Sequence, residues 1–172
     1  FNAEAYAKVR GFPKRAAGED FYLLNKLAKV GKIEVLPGPS IEVAGRGSDR
    51  VPFGTGPALT KISSLNSPED SYLFYSPQVF RCLKIFLKIL PDYWGAKKEV
   101  IFSGYHLEIS AALEFIGFYR VLDKLLVQSK SSEHFMRAIN DWFDAFKTLK
   151  FIHYLRDNYF ASVAVSELRQ CE

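Results

Sequence analysis

The sequence predicts a mainly α fold with a small β element (α+β), closing in a helical bundle. Three observations carry this. Apolar residues recur at intervals of three and four over most of the stretch 77–172. Strand-like runs are short, at 33–36 and 41–44 with an extended piece at 100–102, and glycine and proline gather in one loop at 45–57. With 172 residues and 48% hydrophobic content the chain can bury a real core, and the 15% aromatic content predicts ring-filled helix interfaces.

In chain order, Asn2 caps a short helix over 3–9, with Glu4 in its first turn, and Gly11 and Pro13 end it. Phe21, Leu23, Leu24, Leu27 and Val30 recur at helical spacing, predicting a helix over 20–30 stopped by Gly31. Residues 33–36 and 41–44 read as two short strands around the turn Pro37-Gly38-Pro39-Ser40. The glycine-rich loop follows, then a short helix over 57–63 and a polar break over 64–70.

Beyond the break the chain reads as helices. One runs over 77–90 and stops at Pro91, a turn covers 94–98, and 100–102 is extended. A long helix covers 105–128 with Ser103 as N-cap. Phe135, Ile139, Trp142, Phe146 and Leu149 then form a single stripe facing the core, residues 151–155 continue it, and a last helix covers 161–169. Short connections make such helices antiparallel neighbours, so residues 71–172 read as a bundle and residues 1–63 as a separate segment.

Charge is uneven. Residues 1–61 hold ten Lys and Arg against six Asp and Glu, whereas 62–172 hold thirteen of each, so the net charge of +4 lies in the first third. That third can receive an anion such as a phosphate, or present a solvated basic face. Two cysteines, Cys82 and Cys171, give neither a disulfide framework nor metal-ligand spacing, which fits a reducing, cytoplasmic setting. No run of about 18 uncharged apolar residues exists to span a bilayer; the closest stretch, 79–90, is interrupted by Arg81, Lys84 and Lys88.

Chemistry concentrates around Gly18-Glu19-Asp20. Carboxylates in a first helical turn are held ionised by the dipole and free amides, and an ionised carboxylate can act as a general base. The structural alternative is that Glu19 or Asp20 only caps its helix. Arg46 and Arg50 on the glycine-rich loop offer planar forks suited to phosphate oxygens, or bond loop carbonyls. Gly54-Thr55-Gly56 lacks the spacing and lysine of a P-loop. His106, His134 and His153 have no paired metal-ligand spacing, no Gly-x-Ser-x-Gly elbow occurs, and no nucleic-acid-binding module accompanies the basic third.

The ordered set Tyr6-x-x-Val9-Arg10-Gly11-Phe12-Pro13, then Ala17-Gly18-Glu19-Asp20-x-x-Leu23-x-x-Lys26-Leu27-x-x-x-Gly31, resembles the second half of inverting, family 2 glycosyltransferases of the GT-A fold. The resemblance covers about residues 1–61. It implies that Asp20 is the general base that deprotonates an acceptor hydroxyl, with Glu19 its partner. It implies that Arg46, Ser48 and Arg50 lie near the departing nucleoside diphosphate. In such an enzyme Tyr6, Phe12, Trp94 or Trp142 could stack on a sugar, with aromatic core the default for Trp142. No Asp-x-Asp triplet occurs in the chain. The expectation is therefore a piece of a longer enzyme: the chain opens at Phe1 without Met, the donor and metal-binding half lies upstream, and the piece alone is inactive. A nucleotide-sugar donor, a hydroxyl acceptor and a divalent Mg or Mn ion belong to that full-length enzyme, and no metal to this piece.

A second expectation, from another class, is a non-enzymatic helical interaction module. Its basic N-terminal face would engage an anionic partner or a membrane surface, and its bundle would pair with a second copy. Asp20 separates the two readings, since it faces an open cleft in the enzyme and is consumed as a helix cap in the module.

Overall fold

A computed structural model describes residues 2–34, 37–38, 40–42, 44–48, 51, 53–95 and 107–168. These residues are mainly helical, with one two-stranded antiparallel sheet. The chain divides into two compact units, Phe1–Tyr72 and Leu73–Glu172.

In the first unit, α1 (Ala3–Lys8) opens with the Asn2 side chain accepting from the Ala5 amide at 2.8 Å, and Glu4 pairs with Lys8 at 2.7 Å. The helix closes through Arg10 and Gly11, both left-handed at φ 60° and 65°, as the Gly11 amide donates to the Tyr6 carbonyl at 2.9 Å. Helix α2 (Glu19–Leu27) buries Leu23 and Leu27 against Val9, with Ala5 packed alongside. The Lys26 ammonium fixes this joint by donating to the Val9 carbonyl at 3.2 Å. Helices α3 (Thr55–Ser63) and α4 (Pro68–Ser71) complete the unit.

Two expectations here are corrected. Helix α2 ends at Leu27 rather than at 30, because the last-turn carbonyls are taken by the amides of Ala28 through Gly31 and Val30 finds nothing to bury itself against. The strands expected over 33–36 and 41–44 do not form at Ile33, Glu34, Ile41, Glu42 or Ala44; Val35, Leu36 and Val43 lie outside the described residues. A lone hairpin needs an apolar face to pack on, and Ile41 is 90% exposed.

In the second unit β1 (Leu73–Phe74) pairs with β2 (Val163–Ala164), Leu73 opposite Ala164 and Phe74 opposite Val163. Between them lie α5 (Pro77–Ile89), a 3₁₀ turn (Leu90–Tyr93), α6 (Leu107–Phe115), α7 (Phe118–Gln128), α8 (Ser132–Trp142) and α9 (Ala145–Asn158). A single-turn α10 (Val165–Leu168) stands where a last helix over 161–169 was expected. Helix α9 packs on α5 and α6, with α7 and α8 following as successive neighbours. At the centre the Phe86 ring meets Phe143 at 5.0 Å, Phe118 at 5.3 Å and Phe151 at 5.8 Å. Trp94 and Trp142 pack against this core.

The helix expected over 105–128 is two helices, broken at Gly117 with φ 77°; Ser103 and the extended piece over 100–102 lie outside the described residues. The stripe expected from Phe135 to Leu149 also breaks. Phe135 and Ile139 are fully buried, but Asp144 caps a new helix, accepting from the Phe146 and Lys147 amides at 3.1 and 3.2 Å. The phase restarts, so Leu149 is exposed and Phe151, Ile152 and Leu155 face inward. Lys147 bridges the joint, donating to the Ile116 carbonyl at 2.9 Å and lying 4.9 Å from the Trp142 ring centroid. No helix among the described residues is long and apolar enough to cross a membrane.

Candidate functional site

Glu19 and Asp20 are the first two residues of α2, exposed, behind a Gly18 N-cap whose φ of 71° favours a residue without a β-carbon. Gly18 supplies no side-chain cap. Asp20 therefore uses one carboxylate oxygen locally, accepting from the Phe21 amide at 2.7 Å.

These carboxylates border an open groove of about 700 Å³ whose lining includes Arg46, Ser48, Phe53 and the start of α3. One contact beside the groove tolerates little bulk. Ser48 packs onto Gly56, where a β-carbon would come within 2.7 Å of the Ser48 carbonyl oxygen and its Cβ. The Phe53 ring lies against Gly18, its Cζ 3.6 Å from the place a β-carbon would take. Helix α3, like α2, begins behind a glycine, Gly54, without a side-chain cap. The starts of two helices, Arg46, Glu19 and Asp20 thus border one groove. Such a set of residues can hold an anion through its arginine and free amides and accept a proton at a carboxylate.

Of the expected site residues, Glu19, Asp20, Arg46 and Ser48 come together, and Arg50 lies outside the described residues. Tyr6 and Phe12 do not line this groove. Their rings meet edge to face at 6.1 Å, and the Phe12 amide donates to the Tyr6 hydroxyl at 3.4 Å. Arg15 stacks over Tyr22, 4.6 Å from the ring centroid. Sequence reasoning missed Val51 and Phe53 as lining residues; the signal was two apolar side chains in an otherwise polar, glycine-rich loop.

In the second unit His153 bonds the Tyr75 hydroxyl at 2.8 Å, and His134 is exposed. Cys82 is buried, which together with nearby Glu108 pushes its thiol up to about 11. Among the described residues no group of three or more His, Cys, Asp or Glu could hold a metal ion. Comparison with known protein families, with curated proteins and with solved structures finds no match to this chain.

Proposed function

We propose that the first unit is the acceptor side of a nucleotide-sugar-dependent, inverting glycosyltransferase, the C-terminal portion of a GT-A-like domain. The observation that supports it is the shared groove, bordered by Glu19 and Asp20 together with Arg46, Ser48 and the start of α3. In this reading Asp20 takes the proton of an acceptor hydroxyl as its oxygen bonds to the anomeric carbon. The bond from that carbon to the diphosphate oxygen breaks on the opposite face, and the electron pair leaves with the diphosphate. Arg46 and the α3 amides balance the charge that develops there.

In this reading the residues of the groove themselves carry the proton and charge steps. Metal and donor sugar belong, in this reading, to a nucleotide-binding half outside the chain. The test is sugar transfer by the protein that combines both halves. Asp20→Asn lowers kcat by about 10²- to 10⁴-fold with donor affinity unchanged, whereas full turnover in that variant overturns the assignment.

One observation favours the second reading, a non-enzymatic helical module: the 2.7 Å bond from the Phe21 amide shows Asp20 also serving its own helix. On that reading Asp20→Ala costs about 0.3–1 kcal/mol of stability, and no sugar transfer responds to it.

A further inference from the structure

Helix α5 carries apolar residues on both its inner and its outer side. Its inner side, Val79, Cys82, Phe86 and Ile89, is buried in the bundle core. A helix packed on a core ordinarily turns mixed charges to water on the other side. Here Phe80 and Leu87, two turns apart, are 48% and 46% exposed, and the exposed charges beside them, Arg81, Lys84 and Lys88, are all positive. The helix contains no Asp or Glu. Among the described residues, the ion pairs involve none of these three cations.

Strand β1 extends the same patch. Leu73 and Phe74 are exposed, and Phe74, Phe80, Arg81 and Lys84 border one shallow, mostly apolar depression whose charged lining is basic throughout. The clustering is local, because Lys and Arg balance Asp and Glu over residues 62–172 as a whole.

We propose that the outer face of α5, with β1, docks on an anionic bilayer surface. Phe80, Leu87, Phe74 and Leu73 enter the boundary between headgroups and acyl chains. Arg81, Lys84 and Lys88 keep their stems along that boundary and their charges at the lipid phosphates. Charge complementarity selects this occupant over a second copy of the chain. A twofold contact sets each patch against itself and would bring three cations against three with no carboxylate on either α5.

The test is co-sedimentation of the full chain with vesicles of phosphatidylcholine alone and of phosphatidylcholine mixed with phosphatidylglycerol. Binding to the mixed vesicles only, weakened by salt, is the expected result. Replacing the three cations together (Arg81→Gln, Lys84→Gln, Lys88→Gln) lowers the partition coefficient about a hundredfold. Phe80→Ser with Leu87→Ser lowers it as well, while circular dichroism shows each variant folded. A control that removes the same charge from exposed positions of α7 and beyond, Arg120→Gln, Lys124→Gln and Lys130→Gln, leaves binding unchanged. No binding to anionic vesicles overturns the proposal, as does equal loss in the control. Sedimentation velocity without lipid that shows a dimer dissolved by Phe80→Ser and Leu87→Ser also overturns it, and assigns the face to a second copy.

Discussion

Gly56 shows how a single hydrogen atom in place of a methyl shapes the candidate site. A β-carbon there meets the Ser48 backbone oxygen at 2.7 Å, so Gly56→Ala must push the Arg46–Ser48 segment away from α3. The expected cost is about 1–3 kcal/mol, read as a lower urea midpoint together with faster tryptic cleavage after Arg46. Cys82 gives a second prediction at this scale. Its folded thiol is raised to about 11 from an ordinary 9.0, so the fold favours the protonated form. That contribution is whole below pH 9 and is lost as pH rises through about 11, and Tyr119, whose hydroxyl is also pushed up by burial, acts in the same direction. A urea series across the alkaline range should show stability falling there, and Cys82→Ala should flatten part of the fall. The polar residues of the groove, Glu19, Asp20, Arg46 and Ser48, can be singled out from sequence because their chemistry is written in their side chains. Its walls cannot, because the approach of Ser48 to Gly56 and of Phe53 to Gly18 joins positions separated along the chain.

At the level of elements, caps and breaks decide what periodicity alone leaves open. Asn2, Ser76 and Asp144 each accept backbone amides at a helix start. Asp144→Ala removes two such bonds and should cost about 1 kcal/mol, up to ~2, measured by chemical denaturation. Gly117 tests the division between α6 and α7. At φ 77° an alanine is strained, so Gly117→Ala should destabilise by about 1–2 kcal/mol; a continuous helix over 105–128 would instead gain from the change. The break was not legible because Phe115-Ile116-Gly117-Phe118 keeps an apolar run going, and one glycine inside a helical pattern does not by itself end it. The helical character of the chain was legible, and the location of its sheet was not: β1 and β2 are two residues each, too short to show alternation, and pair across most of the second unit.

The whole molecule combines two very unequal cores. Val9, Leu23 and Leu27 make up the buried cluster of the first unit, whereas the second closes over Phe86, Phe118, Phe135, Phe151 and their neighbours. Phe86→Ala should cost the second unit about 3–5 kcal/mol. Thermal unfolding followed by hydrogen exchange should show amides of α1 and α2 opening at lower free energy than those of α5 and α9. Uniform protection across both units would contradict that ordering.

Lys147 makes the bundle responsive to a chemical change at a single amine. Its ammonium holds the Ile116 carbonyl beside the α6 to α7 break while resting over Trp142 of α8, so one charge ties three helices at a single point. Acetylating that amine removes the charge and the cation–π attraction together. A covalent mark on this one nitrogen would thus register as loosening of a joint between helices, visible as a change in Trp142 fluorescence.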